Sequence, residues 1–124
     1  MSNQGKIQLT IVITAPAEHV AEGDRIFATH APWMASTHHR DGDLALLTYN
    51  VSKAPELSNP LDPTSEPTGN ISFVLSEIYE SEAGVADHFK QAMATWPDFP
   101  AFVEWMGKCS VTAVPASPIF TSLW

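Results

Sequence analysis

Three residues in one short window carry side chains suited to proton chemistry: Glu77, Tyr79 and His88. Residues 70–80 alternate, with Ile71, Phe73, Leu75, Glu77 and Tyr79 on one side and Ser72, Val74, Ser76, Ile78 and Glu80 on the other. That is the period of a strand. Glu77 therefore falls on the apolar side, where a carboxylate must find a partner or titrate abnormally, because an unpaired buried charge is costly. The structural alternative is a glutamate tied to backbone or paired with Arg25 or Arg40. Tyr79 offers a phenol that can orient a carbonyl or hydroxyl; otherwise it packs its ring and leaves the hydroxyl at the surface. His88 can take and return a proton near neutrality, and its bland reading is a packed histidine beside Phe89.

A second group of rings, His30, Trp33, His38 and His39, closes the first helical region. Its spacing matches no zinc pattern, so no metal site is expected. Histidines near a helix C-terminus complement the dipole there, and Trp33 and His38 are candidates for a cavity mouth. Cys109 starts a strand with no visible catalytic partner. The chain contains no G-x-G-x-x-G, Walker loop or G-x-S-x-G.

The elements that must hold these residues follow from periodicity. Residues 6–15 alternate Ile7, Leu9, Ile11 and Ile13 against Gln8, Thr10, Val12 and Thr14, a strand that Pro16 ends. Residues 17–30 space Val20, Phe27, Ala31 and Met34 as a helix, with Gly23 weakening it by about 1 kcal/mol. Pro32 is expected to kink or restart that helix, and Asp41–Gly42 is a turn. Residues 43–51 form a second strand, with Leu44 and Leu46 on one face and Ala45, Leu47, Tyr49 and Val51 on the other. Residues 52–69 hold Pro55, Pro60, Pro63 and Pro67, and are expected to form a long irregular loop. After the third strand, Ser81 is the expected N-cap and Glu82 sits in the first turn of a helix over 82–95, burying Val85, Phe89, Ala92 and Met93. A short helix over 101–107 carries Phe102, Trp105 and Met106, and 109–113 begin a last strand. Pro115 and Pro118 confine residues 114–124 to an edge or arm.

The order β-α-β-β-α-β, with an extra helical turn before the last strand, predicts one α+β domain spanning residues 1–124. Its expected form is a ferredoxin-like sandwich, a four-stranded antiparallel sheet with helices on one face. The other face is too apolar to be left in water, which calls for a partner. At 124 residues, with charged residues at only 16% of the chain, a second copy is the expected cover. A net charge of −8 and six scattered basic residues exclude the stripe that nucleic acid or an anionic membrane surface needs. The apolar runs are too short to cross a bilayer, a lone cysteine gives no disulfide framework, and residues 1–10 lack the pattern of a secretory leader. A cytoplasmic location is expected.

The pattern E-x-Y-E-S-x-A-x-x-x-x-H, from Glu77 to His88, resembles the antibiotic biosynthesis monooxygenase-like branch of the dimeric α+β barrel superfamily. In that branch the third strand ends in E-x-(W/Y) and a histidine follows in the next helix. The order of elements agrees, including the Asp41–Gly42 turn. The proline-rich 52–69 segment and the Leu123–Trp124 tail depart from the pattern and bear on the pocket and the interface. The resemblance implies a homodimer joined through the open sheet face, with a small apolar cavity in each subunit for a small apolar or aromatic ligand. It also implies oxidation of a small aromatic or polyketide-like compound without metal or flavin, so no cofactor is expected. His88, Tyr79 and Glu77 become the catalytic candidates, and Trp33, His38, Tyr49 and Trp105 the substrate-binding candidates. A cyclase or isomerase in the same pocket, and a non-catalytic ligand-binding or accessory dimer, are the alternatives.

Overall fold

Alternating β-branched segments and two amphipathic stretches give four strands and three helices in a computed structural model that describes residues 2–124. Strand β1 is Ile7–Ala15, helix α1 Val20–Thr37, β2 Leu46–Leu57, β3 Pro67–Tyr79, α2 Glu82–Thr95, α3 Phe99–Met106 and β4 Ser110–Pro118. A 3-10 turn at Ala17–His19 leads into α1. The strands form one open antiparallel sheet in the order β2-β3-β1-β4, so the fold is α+β.

Side-chain alternation decides which sheet face meets the helices. Ile7, Leu9, Ile11, Ile13 and Ala15 of β1 are buried, as are Phe73, Leu75, Glu77 and Tyr79 of β3. They pack with Ile26, Phe27, Trp33 and Met34 of α1, Val85 and Ala92 of α2, and Phe102 and Trp105 of α3. Gln8, Thr10, Val12 and Thr14, opposite Ile78, Ser76, Val74 and Ser72, point to the uncovered face. A bulge between Leu46 and Thr48 shifts the alternation of β2, so Leu46 joins Tyr49 and Val51 against the core instead of facing away from them.

Prolines behave differently from expectation in two places. Helix α1 runs unbroken through Pro32. The ring lies on the solvent side while His30, Trp33 and Met34 turn inward, so packing on that inward face offsets the one backbone bond that proline removes. The 52–69 segment is not one long loop either. Pro55 lies within β2, an edge strand, and Pro67 opens β3, both positions where a missing amide costs the sheet little. Irregular chain narrows to residues 58–66, closed by Ser58 N–H donating to the Glu66 carbonyl at 2.8 Å and tied by Ser65 Oγ to the Asn59 and Asp62 carbonyls.

The α2 boundaries match the reading of the sequence, and Ser81 Oγ accepts from Gly84 N–H as the N-cap. Met93 is a correction: it is 66% exposed rather than buried. The last strand extends beyond 113 to Pro118, its prolines on the sheet edge, and backbone bonds between Ile119 and both Gly5 and Lys6 continue the pairing. No helix among the described residues is long and apolar enough to cross a membrane.

Gly23 earns its place by close approach. A methyl there would run into the Trp105 indole and come within 2.9 Å of Phe73 Cζ. Gly23→Ala is therefore expected to destabilise the chain by about 1–3 kcal/mol in denaturant titration, although alanine favours a helix by about 1 kcal/mol. A more stable variant would show that α1 and α3 are not held at this spacing.

Candidate functional site

Strand, helix and helix end converge on one region between the sheet and its helices. Strand β3 delivers Glu77 and Tyr79 to its inner face, and Tyr49 of β2 is the cross-strand partner of Glu77. Helix α1 turns His30 and Trp33 inward and ends at His38, whose amide caps back to the Met34 carbonyl. Helix α2 contributes His88 on its buried stripe with Val85 and Ala92, and ends at Trp96, which turns into the core because Pro97 stops the helix.

Their polar atoms are linked in three short runs. Tyr79 Oη donates to Glu77 Oε1 at 2.5 Å, and Glu77 Oε2 is buried without a partner among the described residues. His30 Nδ1 and Tyr49 Oη are 2.7 Å apart. Thr37 Oγ1, His38 and His88 form a relay, with His38 Nδ1 2.9 Å from the threonine and His38 Nε2 2.8 Å from His88 Nδ1. Aromatic rings hold the runs in place: the Trp33 indole stacks on Trp96 at 5.7 Å, and His30 meets Trp96 edge-on at 4.7 Å. His30 and His88 both line a cavity of about 30 Å³, whose other walls are Ile11, Leu75, Phe89, Ala92, Trp96, Phe99 and Phe102.

Burial sets the protonation states. It pushes the Glu77 carboxyl from its ordinary 4.5 up to about 7, with the Tyr79 hydrogen bond pulling the other way. It lowers His30 to about 4, the neighbouring His38 adding to the effect, and His88 to about 3, with His38 and then His30 adding. His38 is lowered too, again by burial first. Burial and then the Glu77 charge raise the Tyr49 and Tyr79 phenols. At neutral pH the imidazoles at the cavity are uncharged, able to act as hydrogen-bond donors or acceptors at either nitrogen.

The candidates from the sequence separate into three groups. His88 reaches the cavity wall. Glu77 and Tyr79 lie together inside the sheet face but bond to each other, and neither belongs to that wall. Neither arginine reaches Glu77: Arg25 pairs with Glu22 and Asp98 at the surface, and Arg40 donates to the Leu46 carbonyl. Trp33, His38 and Tyr49 stand one layer behind, each bonded to or stacked on a wall residue. Trp105 is apart from them, donating to the His19 carbonyl and packing on Phe73 over Gly23. His39 is exposed. Two wall residues escape a reading by motif. His30 shares the inward stripe of Phe27, Trp33 and Met34, a spacing that marks it as buried rather than as a dipole partner. Trp96 follows the helix period and precedes a proline, with nothing local to mark it as polar lining. Among the described residues no cluster of His, Cys, Asp and Glu is arranged to hold a metal. No family model matches the chain, and no curated protein matches it.

The shifted groups make stability depend on pH in two opposed senses. Between about pH 4 and 6.5 the unfolded chain binds protons on the two histidines that the folded chain refuses, so stability rises with pH there. Glu77 keeps its proton in the folded chain from about 4.5 to 7, so its contribution falls as pH rises through that window. Glu77→Gln removes only the falling component. Measured by thermal and denaturant unfolding, the variant is expected to gain on the parent between pH 5 and pH 8 by up to about 3 kcal/mol. Parallel pH profiles for the two chains would mean that Glu77 titrates normally.

Proposed function

We propose that the chain is an antibiotic biosynthesis monooxygenase-like enzyme that oxidises a small phenolic or polyketide-like compound in the cavity beneath its helices. The observation that carries this reading is the convergence of His30, His88 and Trp96 on one otherwise apolar cavity. The strand order and the helical crossovers between β1 and β2 and between β3 and β4 support a ferredoxin-like sandwich, and the Glu77-to-His88 motif supports the family.

In this mechanism His88 Nε2 takes the substrate's hydroxyl proton. Burial alone makes His88 a weak base, but an oxyanion formed beside it favours the imidazolium and so works against that burial. The resulting anion, electron-rich at ring carbon, reacts directly with dioxygen. One oxygen atom ends as a quinone carbonyl and the other leaves as water, the substrate supplying all four electrons. The apolar walls strengthen every hydrogen bond to the developing charge. Glu77 acts as a positioning residue: it is the cross-strand neighbour of Tyr49, which holds His30.

A homodimer completes the proposed barrel. The open face of β1 and β3 consists of Gln8, Thr10, Val12, Thr14, Ser72, Val74, Ser76 and Ile78. No charge lies among them in a chain of net charge −8, so two copies can meet there without setting like charges against each other. Non-catalytic binding of a small ligand is the second reading, favoured by the narrowness of the cavity, about 30 Å³.

Two measurements test these assignments. With a hydroxynaphthalene or anthrone substrate, oxygen uptake is expected, and His88→Ala should lower kcat by about 100-fold or more. Turnover without oxygen uptake would assign the pocket to cyclisation or isomerisation, and undiminished uptake by the variant would remove His88 from the mechanism. In light scattering the chain should have twice its monomer mass and Val74→Asp should halve it; a parent chain at monomer mass would sink the dimer.

A further inference from the structure

Residues 110–124 contain no charged side chain, in a chain whose net charge is −8. They are also bare: Val111 and Val114 are exposed, and Phe120, Leu123 and Trp124 are 88%, 73% and 90% exposed. Single exposed apolar residues are ordinary, but three large ones within five positions call for a cover. Their backbone is nevertheless held in place. Gly5 N–H donates to the Ile119 carbonyl at 2.8 Å, Ile119 N–H to the Lys6 carbonyl at 2.9 Å, and Asn3 N–H to Ser122 Oγ at 3.0 Å.

This arm borders the uncovered sheet face. Ile119 and Phe120 share a surface hollow with Gln8 and Ser117, which pair across β1 and β4 on that face. At the other end of β1 the same face carries a groove of about 390 Å³, the size of pockets that seat small ligands. Val12, Thr14 and Ser72 form its floor, and Pro55, Leu57 and Pro60 stand beside them. Glu56 is the one charged residue in its lining, and Glu56 Oε1 already accepts from Thr68 and Asn70.

The chain's own arm does not fill this groove. It runs from Lys6 toward Asn3, while the groove lies about 25 Å back along β1, at about 3.3 Å per strand residue. A second copy meets the requirement. Two sheets apposed about a two-fold axis that lies between them and crosses the strands bring the start of one β1 over the end of the other. We propose, building on the homodimer reading above, that residues 119–124 are a clasp that seats Phe120, Leu123 and Trp124 in this groove of the second copy. The exchange is reciprocal, as two-fold symmetry demands. Aromatic side chains bury about 150–250 Å² each, so Phe120 and Trp124 contribute on the order of 300–400 Å² per copy. That is nearly half of the roughly 800 Å² per partner that a stable interface buries, area that the small serines and threonines of the open face do not supply. With no charge on the arm and only a bonded one in the groove, the two surfaces meet without like-charge repulsion.

Sedimentation equilibrium and cross-linking of the whole chain test the clasp. Replacing Phe120→Ser, Leu123→Ser and Trp124→Ser together is expected to raise the dimer Kd at least about tenfold. These side chains are bare in the single chain, so circular dichroism should be unchanged. Pro60→Asp, on the groove wall, should weaken the dimer in the same direction. In a Cys109→Ser background, chains carrying Trp124→Cys mixed with chains carrying Pro60→Cys should be joined by a short bis-maleimide. Chains carrying Met93→Cys, exposed on α2, should not be joined to the Trp124→Cys chains. A dimer whose Kd ignores the triple substitution, or absence of the Trp124→Cys to Pro60→Cys cross-link, overturns the clasp and leaves face-to-face pairing standing. A Val74→Asp chain that stays dimeric and still cross-links keeps the clasp and removes that pairing. A parent chain that is monomeric at every concentration overturns both. Binding of that monomer to phosphatidylcholine vesicles, lost on the triple substitution, would assign the arm to a lipid surface instead.

Discussion

Glu77 has no exposed surface and sits on the helix-facing side of β3, and the arrangement around it follows from the difficulty of keeping a carboxyl there. A charged group in that position would be costly, so the carboxyl is driven toward its protonated form. Tyr79, two residues on and therefore on the same face, supplies the one hydrogen bond that a neighbour on the same strand can provide. Tyr49, across the sheet, turns its own hydroxyl to His30. Glu77 and the two tyrosines thus share the inner side of the sheet, and Tyr49 bonds an imidazole on the opposing helix.

The histidines repeat the same logic from the helix side. Imidazoles inside an apolar core are stable only as neutral rings with partners, and His38 and His88 find those partners in each other and in Thr37. Thr37 at the outer end of the relay also donates its hydroxyl hydrogen to the Trp33 carbonyl, which ties the run to the last turn of α1. A helix C-terminus, where carbonyls are free to take such a hydroxyl hydrogen, is the natural place to anchor it.

Most of the scaffold was legible because period and capping are local. The alternation of β1 and β3 fixes their inner faces, and Ser81 followed by Glu82 fixes the start of α2. What failed to read locally was settled by tertiary packing. Pro32 stays helical because His30, Trp33 and Met34 are worth more buried than the missing bond. Pro55 and Pro67 sit in strands because a sheet edge and a strand start do not need their amides. The bulge at Leu46 reverses the facing of β2, which no alternating pattern anticipates. At the site, His88, Glu77 and Tyr79 stood out by residue type, whereas Trp96 did not: an indole counts as apolar in any periodicity, and only its unpaired N–H in the folded chain separates it from ordinary core.

Packing also explains why the sheet's two faces have such different chemistry. Among its apolar residues the inner face holds Glu77 and Tyr79, bonded to each other, and Tyr49, bonded to His30, so replacing any of these disturbs a partner. The outer face of β1 and β3 carries threonines, serines and valines that make few bonds of their own, Thr14 with Ser72 and Gln8 with Ser76 among them. Side chains of this kind suit β-structure and lose little entropy when covered. They leave the outer face adaptable to a flat apposed surface, while the strand edges, carrying Pro55 on one side and Pro115 and Pro118 on the other, resist further strand addition. Growth of the sheet sideways is blocked and apposition face to face is left open, so the same prolines that interrupt the sequence pattern narrow the ways in which a second copy can approach.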